Sequence, residues 1–396
     1  MFCETTYKSP SETHSHDISI STEQIETFRR DGILVVPNVL TRHQVEDALK
    51  GLNKTLNRLG VYPQEPNNDE MSNNAYQLDV DSARALSKLS STNGSGGVLD
   101  IFYEDWKLEI GSNPRLFQIT QELWKAAYCH NGETKERLPE TERFRWHPFG
   151  AFDCNRGYMY IDRIGYRLPT KLSDELGECI NLQRKKRKVT AIQRSLTPHF
   201  DCCPDRLYEN IQKWRPIQCF VALTDNNLEP NMGGFEAAKG FHQHFDQWRL
   251  HRPPTLVTKT DGCGSKLQIS VPAPCVGEYT HIRPKEDVDV MRRIEHISGV
   301  SAGSAVLWDN RIPHANAYRH DGNTPRIVVY CSFLPDVELN RRYVLGRQLV
   351  NFKLGYPPTD TWIHVENNDD KGSDRHEMFP FEFSSLGRKL MGLDSW

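Results

Sequence analysis

The sequence predicts an α+β protein with a mainly antiparallel β core, helices before it and a helix after it. Three observations carry the prediction. Amphipathic helical spacing is concentrated before about residue 142, and short β-rich runs succeed one another after Arg143 without intervening helical pattern. With 37% hydrophobic content over 396 residues, the chain can fill one large core. Many short strands without crossover helices favour an antiparallel sandwich or barrel over a parallel sheet.

The helical part begins at Ser21-Thr22-Glu23-Gln24, which has capping-box spacing, with Ile25 and Phe28 starting an apolar stripe that Asp31-Gly32 ends. Ile33 to Val36 reads as a buried strand closed by Pro37. A second capping box, Thr41 to Gln44, opens a helix with Val45, Leu49, Leu52 and Leu56 at helical spacing, ended by Gly60. Residues 63–74 read as a polar surface loop, Ser82 to Leu89 as a short helix, and Thr92 to Gly97 as a flexible turn cluster. Asn113-Pro114 opens a helix with Leu116, Ile119, Leu123 and Trp124 on one face.

In the β part, Gly157 to Leu168 mixes aromatics with Asp162, Arg163 and Arg167. Those charges fit either a polar pocket wall or an edge strand with solvated side chains. Ile217 to Leu223, Val300 to Trp308 and Arg326 to Phe333 read as buried strands, whereas 249–290 reads as a long excursion from the core. The expected organisation is a flexible tail, 1–17, and one domain, 18–396. That domain comprises a helical scaffold (18–142), a β core (143–335) containing the 249–290 insertion, and a C-terminal extension (336–396).

Bulk properties exclude several functions. With 49 basic and 52 acidic residues the net charge is −3, so no whole-chain basic excess draws the protein to nucleic acid. No 18-residue apolar run predicts a membrane span. Ten scattered cysteines lack a repeated CxxC pair, against a zinc ribbon or dense disulfide framework, and favour a reducing, intracellular and cytoplasmic setting. The first 17 residues lack the apolar core of a secretory signal. The basic run 184–188 fits a solvated loop, a nuclear address or a phosphate-attracting rim. Oligomeric state leaves no legible mark.

The chemistry gathers at Thr197-Pro198-His199-Phe200-Asp201. On a strand, His199 and Asp201 point to the same side, and a distant second histidine would complete a two-histidine, one-carboxylate iron site with an open face. Alone the triplet is weak: His199 reads equally as an ordinary strand residue, Asp201 as a turn cap, and Cys202 or Cys203 as a zinc thiolate. The chain order strengthens it. His314 follows His199 by 314 − 199 = 115 residues, and Arg326 follows His314 by 326 − 314 = 12, on a strand whose Ile327-Val328-Val329 makes an unpaired buried charge costly. His242, His244, His281 and His296 are rival second ligands, but none precedes an arginine-bearing strand in this arrangement.

This ordered set, with IETFRRDGILVVPNVL, MGGFEAAKGFHQH, AGSAVLWDNRIPHANAYRHDGNTPRIVVYCSF and the terminal FEFSSLGRKLMGLDSW, resembles the phytanoyl-CoA dioxygenase-like superfamily of Fe(II)/2-oxoglutarate dioxygenases. The resemblance spans about residues 19–396. It implies a double-stranded β-helix (jelly roll, cupin-like), iron held by His199, Asp201 and His314, and Arg326 pairing with the far carboxylate of 2-oxoglutarate. Asn316 would share His314's strand face and bond the same carboxylate, with Phe220 and Tyr160 walling the keto acid. The implied reaction consumes dioxygen, releases succinate and carbon dioxide, and hydroxylates a small organic metabolite or acyl derivative. Asp201 stands where related halogenases have a small residue, against halogenation. An oxygenase of protein or nucleic acid, and a non-catalytic metal-binding scaffold or sensor, are the alternatives.

Overall fold

The structure is a computed structural model that describes residues 19–61, 78–183, 191–225, 227–252, 255–260, 266–271, 279–358 and 381–396. The expected tail 1–17, the loop 63–74 and the basic run 184–188 lie outside the described residues. Both capping boxes form: Ser21 starts the helix Thr22–Asp31 and Thr41 the helix Arg42–Arg58, each with reciprocal bonds to the glutamine three positions on. The Asn113 side chain accepts from Leu116 N–H and starts Pro114–Ala127. Helices Asp105–Gly111 and Thr170–Gln183 were not expected from the sequence.

The strands are β1 (Ile33–Val36), β2 (Val98–Leu99), β3 (Gly157–Arg167), β4 (His199–Phe200), β5 (Ile217–Ala222), β6 (Phe235–Ala237), β7 (Thr255–Thr260), β8 (Lys266–Val271), β9 (Thr280–His281), β10 (Glu295–His296), β11 (Ala305–Asp309), β12 (His314–Asn316) and β13 (Arg326–Pro335). They make a six-stranded sheet, β1-β11-β5-β13-β3-β2, a five-stranded sheet, β10-β6-β12-β4-β9, and the hairpin β7-β8. Every ladder is antiparallel. Among the described residues no strand ladder joins the two larger sheets, so the barrel alternative is not met; the sheets stay open.

Side-chain alternation explains the apolar runs. Phe220, Ala222, Val306, Trp308 and Val328 turn toward Phe235 and Ala237 of the smaller sheet and form the inter-sheet core. Cys219, Val221, Leu307, Ile327 and Val329 turn the other way, into the core shared with Leu116, Ile119, Leu123 and Trp124. Covered on both faces, these strands need apolar residues at nearly every position. Full burial of such a side chain contributes about 1.5–3 kcal/mol.

Three local expectations change. β3 is not an edge: it lies between β13 and β2, is buried along nearly its whole length, and its charges are not solvated. The Thr92–Gly97 cluster is a tight, packed turn. Gly97 has φ 69°, its carbonyl accepts from Tyr166 N–H at 2.7 Å, and a Cβ there would meet the Tyr166 carbonyl oxygen at 2.7 Å. The 249–290 excursion returns to the core, because β9 pairs with β4. Cys203 is disulfide-bonded, so scattered cysteine positions do not by themselves argue a reducing compartment. No helix among the described residues is long and apolar enough to cross a membrane.

Candidate metal centre and anion pocket

β4 and β12 are neighbours, and His199 and His314 are direct register partners, which puts both imidazoles on one face of the sheet. Phe200, between His199 and Asp201, turns to the opposite face of the sheet, against Phe241, Phe245 and Trp248. Asp201 follows just beyond β4. Its carboxylate oxygens lie 3.7 Å from His199 Nε2 and 3.7 Å from His314 Nε2. One donor atom from each residue falls within 4.8 Å of the others, and no other group of three histidine, cysteine or acidic side chains does so among the described residues.

The backbone sets the tautomers. His199 Nδ1 donates to the Thr197 carbonyl at 3.1 Å and His314 Nδ1 to the Ile312 carbonyl at 3.0 Å. A carbonyl only accepts, so each Nδ1 carries the proton and each Nε2 presents a lone pair toward Asp201. Burial, then the neighbouring His314, pushes the His199 pKa down to about 4 against the pull of Asp201. Burial likewise lowers His314. Two neutral imidazoles and one carboxylate suit a divalent cation.

Buried neutral histidines elsewhere give a pH signature independent of metal. Burial lowers His147 to about 3 and His242 and His320 to about 4. Their folded pKa values lie below the unfolded value near 6.5, so acid protonates the unfolded chain first. Stability is fully present above about pH 6.5 and is lost as pH falls toward the folded values, on the order of 2 kcal/mol per histidine by pH 5. The urea midpoint of the metal-free protein is expected to fall steeply between pH 7 and pH 5; a flat midpoint would contradict neutral burial.

At the other end of the inter-sheet core, Arg326 is 0% exposed. Its Nε donates to Asn227 Oδ1 at 2.8 Å and its Nη1 to Asn316 Oδ1 at 2.8 Å, while Nη2 is buried without a partner. The guanidinium lies over the Phe220 ring at 5.2 Å. Asn316 in turn donates to the Gly96 carbonyl at 3.1 Å, so the glycine turn supports the pocket. Arg167, also buried, is the direct register partner of Arg326 and donates to the Arg194 and Tyr318 carbonyls. Among the described residues neither guanidinium has a carboxylate in ion-pair contact. Burial, the largest influence, lowers the Arg326 pKa, and Tyr330 opposes it. Two adjacent buried cations with no carboxylate in ion-pair contact are costly, and Arg326 Nη2 has no hydrogen-bond partner.

The predicted residues therefore fall into two groups. His199, Asp201 and His314 converge, and Arg326, Asn316 and Phe220 converge. Tyr160 belongs to the metal end instead: its ring carries Arg215 at 4.6 Å and Lys213 at 5.1 Å. Of the rival histidines, His242 bonds the Arg29 carbonyl and His281 the Tyr279 hydroxyl; none joins the triad. The disulfide at Cys203 removes it as a zinc thiolate. Sequence reasoning missed Asn227, hidden in a polar turn, Tyr330, four residues along Arg326's own strand, and Tyr279, which stacks on His199 at 4.7 Å from inside the excursion.

No protein-family model matches the sequence, and no curated protein sequence matches it. The fold, however, has solved counterparts. It is similar to GlcNAc Inducible Gene 2 (GIG2, DUF1479) from Candida albicans, at TM-score 0.63 and 15% identity, over 96% of this chain and 78% of that one. It is also similar to the hypothetical protein JW0805 from Escherichia coli, at TM-score 0.54 and 14% identity, over 94% of this chain and 82% of that one. At these identities the likeness establishes a shared fold.

Proposed function

We propose that this chain is a non-haem iron, 2-oxoglutarate-dependent dioxygenase of the phytanoyl-CoA dioxygenase-like kind, hydroxylating a small organic metabolite or acyl derivative inside the cell. The observation that carries the reading is Arg326: a fully buried guanidinium with a free N–H. It is linked to the metal triad through two rings in edge-to-face contact. Phe220 lies under Arg326, Phe235 lies 5.4 Å from Phe220, and His314 lies 5.8 Å from Phe235. A metal-chelating group at one end and a carboxylate anchor at the other describe a keto acid. Facing antiparallel sheets around that axis support reading residues 18–396 as one double-stranded β-helix domain whose ladders stay open.

Bound there, iron and 2-oxoglutarate supply oxidative decarboxylation by dioxygen, with succinate and carbon dioxide as products and an oxidant for the substrate. The chain's own groups do the rest. His199, His314 and Asp201 would hold the cation through three donors, leaving it accessible to the keto acid and dioxygen. Arg326 and Asn316 would fix the far carboxylate, where a planar fork orients it better than a point charge. Phe220, Phe235 and Trp308, all buried, exclude water between the two ends. The test is succinate release from 2-oxoglutarate by iron-loaded protein, screened with metabolites: release that needs oxygen is expected, and none in any pool contradicts the assignment.

A further inference from the structure

The charged residues of β3 have so far no role at the metal. Ile161 and Ile164 are three apart yet both pack into the helix-covered core, because the register shifts between Val329 and Cys331 so that Asp162 and Arg163 together oppose Tyr330. Such a bulge re-aims side chains. Arg163 goes to Asp100 at 2.6 Å, and Asp162 Oδ2 accepts from Arg215 Nη1 at 3.1 Å. The other arm of that guanidinium, Nη2, lies 3.7 Å from Asp201 Oδ2, the oxygen that faces His314. Tyr160 supports the arginine's face at 4.6 Å.

We propose that Arg215, aimed by Asp162, is a positioning residue for the metal-binding carboxylate of Asp201. The inference rests on the metal reading of the triad but not on the keto-acid end. An aspartate carboxylate can rotate and present its oxygens in several directions. A guanidinium fixed by a second carboxylate and an aromatic face, 3.7 Å from Oδ2, limits that rotation and keeps both oxygens toward the histidine donors before metal arrives. Partners of this kind behind metal ligands are worth roughly 10–100-fold in metal affinity or activity. The proposal also gives a reason for aspartate and arginine in an otherwise buried strand: the bulge exists where the strand passes the metal.

The experiment is anaerobic titration of full-length protein with Fe(II), and with Mn(II) as an oxygen-insensitive probe. It compares the parent with Arg215→Met, Arg215→Lys, Asp162→Asn and Asp201→Ala, together with thermal melting of each metal-free protein. Arg215→Met and Asp162→Asn are expected to weaken metal binding by about 10–100-fold, with metal-free melting close to the parent. Arg215→Lys should recover part of the loss, since charge returns without the fork. Asp162→Asn is nearly isosteric and keeps the test open if Arg215→Met fails to fold. Parent-like metal affinity in folded Arg215→Met and Asp162→Asn would overturn the positioning role while Asp201→Ala still loses metal. Metal affinity retained in Asp201→Ala would instead overturn the metal reading itself.

Discussion

Asp201→Ala is expected to lower iron affinity by more than about 100-fold, beyond what loss of an outer partner costs, and to abolish succinate formation. Asp201 is the anionic member of the donor set, and its two oxygens face both histidine Nε2 atoms. Without it, two neutral imidazoles must hold a divalent cation with no compensating charge. The fold should survive, because Asp201 lies past the end of β4 and its side chain is 28% exposed. His199→Ala and His314→Ala should lose metal equally but cost more stability, since both side chains are buried and bond backbone carbonyls. Calorimetric metal titration paired with urea unfolding separates the two effects. Parent-like iron binding by Asp201→Ala would remove the carboxylate from the site.

Arg326→Met is expected to weaken 2-oxoglutarate binding by about 30-fold or more, since truncating one partner of a buried charge pair costs roughly 2–5 kcal/mol. Its second consequence is opposite in sign. In the ligand-free protein Arg326 is a buried cation whose partners are two amides, the Tyr330 hydroxyl and the Phe220 ring, with no carboxylate in contact among the described residues, so an apolar side chain of similar length should leave stability unchanged or raise it. Loss of ligand with no loss of fold marks a residue kept for binding. Keto-acid affinity by calorimetry and the melting temperature without ligand check both halves. Unchanged affinity would assign the anchor elsewhere, with Arg167 the next candidate.

The clustering of His199, Asp201 and His314 was legible because it follows strand periodicity. His199 and Asp201 share a face because they are two apart, and His314 meets His199 because their short strands pair directly; alternation and chain order suffice to find them. Arg326 was legible because charge inside Ile327-Val328-Val329 demands an explanation. What stayed hidden depends on breaks in regularity or on contacts across long separations. The bulge that turns Asp162 toward Arg215 breaks the period-two pattern of β3, so neither residue could be placed beside Asp201. Tyr160, three residues beyond the start of β3 in a stretch of alternating aromatics, was assigned to the keto acid and lies instead under Arg215. Tyr279 sits in a segment without readable periodicity, and its relation to His199 exists only because β9 returns beside β4. The glycine turn at 94–97 reads as flexible because glycine signals backbone freedom, whereas here positive φ angles are needed to bring Gly96 beneath Asn316. For the fold, covered faces made the central strands easy to see. The closure of the sheets could not be read, because hydrogen-bonded edges leave no side-chain pattern.

The most direct measurement is a stoichiometry: oxygen uptake, succinate and carbon dioxide followed together in iron-loaded protein supplied with 2-oxoglutarate and a metabolite pool. The account predicts one succinate and one carbon dioxide for each dioxygen consumed, all three lost together in Asp201→Ala. Keto-acid breakdown that proceeds without oxygen, or continues unchanged in Asp201→Ala, would contradict it.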